Sequence, residues 1–543
     1  MSSPEVARAS PVAIARAKSL NRWLLAGHLV LAAFVMLRGY PATQDGPAHL
    51  YGTHVLRALA RDPGSPYGEF FAANLRPGGN SLFFYMARGS DGWISVEAMA
   101  SIALFLAVAG LPLSAIALAA ALHAQVRQGE RGALPLVAAT SLACPLAYNY
   151  FIYRGFFNYT LSVPLAIGCL AAVIAVAPAQ GLLARAGLAV TAATLGALAS
   201  LAHPSALVFL LAAISMASLR GASARRWVAG LVIVLLLGFA WMSRVVADSA
   251  PPAEWSSPQS SVMRYVRALG VTHGWIEVVP ASALLLLLGW GAVRALRPIR
   301  GLFDRWERAW PAALAAAMTA GFFVVPFEYG GTAGLNERIP LFAGMLVMPY
   351  VPMAGRLMRW LPLGLVGFAL YTGIGSVIRE RRIDEVRSAA AATALPRGAL
   401  LYPVTLDMKL GSLSCDLGRS LLSDVARRRD AMGGVTFCGH PGHPVRCTSP
   451  RLATHDSWPA ERFADLSSDE QRRALADPAS PIREMLRHIV HFARGADYLA
   501  VLRWPPLDAA FQEHVVRELG AEGVGATDGP LGLYRVPQPS GGD

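Results

Sequence analysis

Runs of about 20 apolar residues, the length that crosses a bilayer, recur from residue 24 to residue 378 and then stop. They predict helical spans near 23–38, 97–122, 134–151, 160–178, 187–202, 205–219, 228–244, 276–294, 311–327, 339–355 and 361–378. The polar stretch 39–96 separates the first two as a large loop. Beyond residue 378 the pattern changes period. "ALLYPVTL", "DYLAVLRW" and "GLYRVP" read as strands, and "LGRSLLSDVARRRDA", "PIREMLRHIVHFARG" and "LDAAFQEHVVRELGAEG" carry helical periodicity. The fold class expected is an α-helical polytopic membrane protein of about eleven spans with a small C-terminal α/β domain. Its parts are an N-terminal segment 1–22, a membrane domain 23–378 with first loop 39–96, and a tail 379–543.

Composition agrees: 54% of residues are hydrophobic and 15% charged, against about 25% charged in soluble domains. The net charge of +13 does not point to nucleic acid, because residues 379–543 hold 21 basic and 21 acidic side chains and are neutral. The excess falls on short loops of the membrane part, which is a topology signal. It sets the N-terminus inside, and loop 39–96 and the tail on the outer face, the periplasm of a bacterial inner membrane. The first apolar run reads as an uncleaved anchor. The break at His203-Pro204 decides parity, since a single kinked segment there flips everything downstream. Cys144 and Cys169 fall in apolar runs and read as inert core residues. Outside the cytoplasm, one pair among Cys415, Cys438 and Cys447 can form a disulfide, and the sequence does not choose it.

The spans hold almost no acids or lysines near their centres, which speaks against ion-coupled transport. Polar groups gather instead at the outer ends: Asp45, His49 and His54; Asn149, Arg154 and Asn158 among aromatics; His203; and Glu328, Asn336, Glu337 and Arg338. Each has two readings. Asp45 is a helix N-cap ahead of Pro47 or a catalytic carboxylate. His49 and His54 are five apart and share no helical face for a metal. The aromatics at 148–159 form an interfacial belt or a sugar platform. Arg154 and Arg338 snorkel or bind an anion, and His203-Pro204 is a polar turn or part of a cavity wall.

An acid at the outer end of the first span, followed by "QDGPAHLYGTHVLR", with "DYLAVLRWPP" and "GLYRV" closing the chain, resembles the GT-C superfamily of membrane glycosyltransferases. The resemblance covers the whole layout. It implies a polyprenyl-phosphate-linked sugar donor, an envelope glycan, lipid or protein acceptor, and membrane lipids around the spans. It implies Asp45 as general base, Arg338 and then Arg154 as phosphate contacts, and His49, His54, Asn158, His203 and Glu337 as further binding residues. Family members often carry two adjacent acids in the first loop, whereas Asp45 stands alone between Gln44 and Gly46. The sequence names no certain cofactor; a divalent metal stays open, but no paired-acid motif supports it. The alternatives are a non-catalytic scaffold for an envelope complex and a transporter of lipid or polysaccharide.

Overall fold

A computed structural model of the chain describes residues 11–38, 43–75, 80–125, 133–218, 257–270, 277–296, 306–329, 332–351, 356–392, 395–405, 421–433, 445–449, 469–470, 473, 476–477, 487, 489–502, 515–524 and 530–538. Helices occupy Pro11–Leu37 (α1), Gly46–Arg61 (α2), Tyr67–Phe70 (α3), Leu82–Gly89 (α4), Val96–Gln125 (α5), Ala133–Leu146 (α6), Tyr150–Arg154 (α7) and Phe157–Val176 (α8). They continue with Leu182–Ala202 (α9), Pro204–Ala217 (α10), Pro258–Gly270 (α11), Val278–Leu296 (α12), Trp306–Val324 (α13), Ile339–Val347 (α14), Arg356–Ala392 (α15) and Leu421–Arg428 (α16). The strands are Phe71–Ala73 (β1), Glu328–Tyr329 (β2), Thr332–Ala333 (β3), Leu400–Thr405 (β4), Met432–Gly433 (β5), Val445–Cys447 (β6), Tyr498–Leu502 (β7), Glu522–Gly523 (β8) and Leu531–Arg535 (β9). The chain forms two compact units, one of residues 1–38, 102–152 and 157–373, the other of 39–101, 153–156 and 374–543.

The first unit is helical and built for lipid. Among the described residues, six stretches are long and apolar enough to cross a bilayer: 18–37, 96–124, 136–154, 157–176, 182–202 and 278–296. Apolar side chains such as Leu182, Val190, Leu286 and Val293 stand exposed on α9 and α12, as a lipid-facing surface requires. The protein is a helical membrane protein. Small residues let its helices close together: a Cβ on Gly168 would stand 3.2 Å from Leu195 Cδ1, and one on Gly196 3.3 Å from Cys169 Sγ. Cys144 and Cys169 are free and buried. At His203 the helix is interrupted: α9 ends at Ala202 and α10, at fourteen residues, starts at Pro204. The expected span at 339–355 is not one continuous helix. It runs nine residues, about 13 Å, and passes at Met348–Tyr350 into a 3-10 turn containing Pro349. The expected span at 228–244 lies outside the described residues.

The second unit holds a five-stranded sheet in the order β5-β4-β7-β9-β8. Strand β4 pairs in parallel with both β5 and β7, while β9 runs antiparallel to β7 and β8. All five residues of β7 are buried, which is why "YLAVL" reads as a continuous apolar run rather than an alternation. Helix α2 is amphipathic and buries Leu50, Tyr51, Val55 and Leu56. Its Tyr51 hydroxyl donates to the Ala431 carbonyl at 3.0 Å. Strand β1 pairs antiparallel with β6, setting Phe71 opposite Cys447. Cys447 is disulfide-bonded, and its partner lies outside the described residues, where Cys415 and Cys438 fall.

Candidate functional site

Asp45 occupies the N-cap position of α2, 5% exposed, but its side chain makes no capping hydrogen bond. Its main chain is anchored on two sides. The Gln44 N–H donates to the Tyr153 carbonyl and the Asp45 N–H to the Arg154 carbonyl, both at 2.8 Å. The approach is close enough to demand glycine at position 155. Gly155 has φ +76°, and a Cβ there would lie 2.5 Å from the Gly46 nitrogen and 2.9 Å from Thr43 Oγ1. Arg154 folds over the Phe156 ring at 5.4 Å. Arg379 lies 3.8 Å from the Tyr153 ring centroid and is 1% exposed. One acid and two guanidinium groups are thus carried on three chain segments joined by contacts through residues 153–154, all within the second unit. Among the described residues no group of three or more His, Cys, Asp or Glu side chains is placed to hold a metal.

The rest of α2 is tied into that unit. His49 packs edge-on against Phe84, with ring centroids 5.8 Å apart, and burial pulls its pKa down to about 4. His54 Nε2 lies 3.0 Å from Asp430 Oδ1 and 3.1 Å from the Tyr67 hydroxyl. Burial lowers its pKa too, against the pull of Asp430. Arg57 donates to the carbonyls of Ala87 at 2.8 Å and Ile94 at 2.9 Å, closing the C-terminal end of α4.

A buried charge network supports the same region. Asp424, 1% exposed, accepts from Arg427 at 2.6 Å, from Arg428 at 3.0 Å and from Arg387 at 3.1 Å. Arg427 also reaches Glu97 at 2.7 Å. Burial alone would raise the Asp424 carboxyl, but its arginines outweigh it and hold the pKa at about 2.

In the first unit the expected outer-end residues meet around Tyr159. Its hydroxyl donates to the Arg338 carbonyl at 2.7 Å, and its ring stands edge-on to His203 at 5.4 Å. His203 caps α10: its Nδ1 accepts from the Ser205 N–H at 3.2 Å. Glu337 and Asn158 are buried, and a Cβ on Gly334 (φ +70°) would come 3.1 Å from Glu337 Oε2. Asn336 Nδ2 donates to the Phe322 carbonyl at 3.3 Å. Asn149 is a helix-end residue that accepts from the Phe151 N–H at 3.0 Å. The Glu328 side chain lies outside the described part.

Sequence reasoning missed Arg379, Asp424 and Arg57. Arg379 follows directly on an apolar run and reads there as a flanking charge. The only signal for Asp424 was its spacing in "SDVARRR", which puts Arg427 and Arg428 three and four residues on. Comparison with protein-family models and with curated protein sequences gives no match to this chain.

Proposed function

We propose that the chain is a membrane glycosyltransferase of the GT-C type that moves a sugar from a polyprenyl-phosphate donor to an envelope acceptor. The supporting observation is the state of Asp45: a buried carboxylate at the head of α2 that does not cap the helix and whose backbone is fastened to Arg154. In this reading an acceptor hydroxyl attacks the anomeric carbon as its bond to the phosphate oxygen breaks. Asp45 takes the hydroxyl proton, the configuration inverts, and the polyprenyl phosphate leaves as a stable anion that needs no acid. Arg154 holds the phosphate by charge-assisted hydrogen bonds. His203, Glu337 and Asn158 shape the surroundings of Arg338, and His49 and His54 fix α2 behind Asp45. The chain sits in a bacterial inner membrane with its tail in the periplasm, a placement that the disulfide at Cys447 favours.

The test is transfer from a polyprenyl-phosphate sugar in reconstituted membranes, comparing the wild type with Asp45→Asn. Loss of a general base costs about 10²–10⁴-fold in rate. The expected result is that loss at an unchanged protein level. Full activity in the variant would exclude Asp45 as base. The scaffold reading would then come forward, favoured by the commitment of His54 and Arg57 to structural contacts.

A further inference from the structure

Helix α11 of the first unit, Pro258–Gly270, has 13 residues. That is about 20 Å of helix, short of the roughly 30 Å of a bilayer core. It packs against α6, α12, α13, α14 and the turn at Asn336–Arg338, where α6 and α13 end and α14 begins. One arc of the helix is anchored. Ser261, Tyr265, Val266, Ala268 and Leu269 are buried, and the Tyr265 hydroxyl lies 3.0 Å from Thr319 Oγ1. Val262 and Met263 are exposed on the helix, and Phe323 and Val324 are exposed at the adjoining end of α13. In a membrane protein such an apolar surface meets lipid.

Arg264 and Arg267 stand one turn apart on this helix, half-buried at the border between the anchored and exposed arcs. Neither reaches away from the protein as a snorkelling side chain does. Arg264 Cζ lies 3.5 Å from the Phe327 ring centroid, and Arg267 Cζ 4.2 Å from that of Tyr150. A ring attracts the cation but accepts few of its five N–H donors. Among the described residues neither arginine has a hydrogen bond or an ion pair, and Arg264 Nη1 is buried with no partner. Glu277, ahead of α12, and Glu337, on the turn, are buried acids next to the elements that α11 packs on, and they pair with neither arginine. Two half-buried cations with open donors call for an anion with several acceptor oxygens, and phosphate matches the guanidinium fork. The apolar surface beside them offers a place for acyl chains, so the phosphate is a lipid's. A zwitterionic headgroup would bring its own cation beside two arginines, which favours an anionic one.

We infer that Arg264 and Arg267 form a binding site for the headgroup phosphate of an anionic phospholipid, which fastens this end of the first unit to the membrane surface. The inference rests neither on Asp45 acting as a base nor on a transfer reaction.

The experiment is native mass spectrometry of the full chain released from detergent micelles, with phosphatidylglycerol, phosphatidylcholine and a polyprenyl phosphate as probes. Phosphatidylglycerol should bind more tightly than the other two. Arg264→Gln and Arg267→Gln should each weaken it about tenfold, the loss of one charged hydrogen-bonding group. The double variant Arg185→Gln/Arg294→Gln, which removes two exposed cations of the same unit, should leave binding unchanged. On the wild type, a photoactivatable phosphatidylglycerol should label residues 258–270, a readout that holds even where an arginine variant does not fold. Five results would overturn the inference: equal binding of phosphatidylcholine, an equal loss in the Arg185/Arg294 variant, binding unchanged in both α11 variants, tighter binding of the polyprenyl phosphate at the same arginines, or no label within 258–270.

Discussion

The main-chain N–H of Asp45 donates to the carbonyl of Arg154 at 2.8 Å, joining a first-loop residue to the short segment 153–156. The candidate base is therefore positioned by backbone, and the glycine beside it becomes the sensitive point.

Gly155→Ala should unfold or displace this junction. The new Cβ would meet the Gly46 backbone at 2.5 Å, which has no flexible side chain to yield, in a left-handed conformation that already costs about 1–2 kcal/mol. Gly92→Ala is the control: its φ of +83° carries the same backbone cost with nothing within 4 Å. In thermal unfolding of the detergent-solubilised protein, Gly155→Ala should lose clearly more than Gly92→Ala. Equal losses would mean that the two segments do not touch.

Acid should weaken the second unit in two separate windows. His49 has a folded pKa of about 4, below its unfolded value of about 6.5. Its contribution is complete above pH 6.5 and is lost as pH falls toward 4. The lowered pKa of His54 acts in the same direction. Asp424 is held at about 2, below an unfolded value of about 3.9, so its contribution is present above about pH 4 and lost toward pH 2. Denaturant titrations at stepped pH should show both declines. His49→Phe should reduce the first and spare the second. Asp424→Asn should reduce the second while costing about 3–5 kcal/mol at neutral pH, because Arg427 and Arg387 lose their buried partner.

The parts legible in advance were those with a period. The apolar runs at 97–122 and 160–178 became α5 and α8, the polar start of the first loop became α2, and "ALLYPVTL", "DYLAVLRW" and "GLYRVP" became β4, β7 and β9. Strands β1 and β6, three residues each, carry no pattern long enough to detect, so the pairing of Phe71 with Cys447 was invisible. Helix α11 was missed because its apolar face is short and interrupted by Arg264 and Arg267, which lie over Phe327 and Tyr150. At the candidate site, Asp45 and Arg154 could be singled out by position. That Arg379 is buried against Tyr153 depends on a tertiary neighbour more than 200 residues away, which no local pattern encodes.

His203 should prove a cap as much as a wall of any cavity. Its Nδ1 accepts from the Ser205 N–H and its ring meets Tyr159. His203→Asn keeps a good capping acceptor, while His203→Ala removes it, so alanine should cost about 1 kcal/mol more. Equal stability of the two variants in reversible unfolding would remove the capping role.

The last prediction joins the disulfide to the topology. Cys447 is bonded, whereas Cys144 and Cys169 are free and buried. A disulfide persists only where thiols are not kept reduced, so the sheet that follows α15 should face an oxidising compartment. The arginine-rich short loops of the membrane part predict the same side. Under non-reducing denaturation of protein taken directly from membranes, a thiol-reactive mass tag should leave Cys447 unlabelled, and should label it after reduction. A periplasm-only reporter fused after residue 392 should be active, and one fused near residue 303 should not. Labelling of Cys447 without reductant, together with a silent fusion at 392, would put the tail in the cytoplasm. That result would remove the periplasmic acceptor from the proposed reaction.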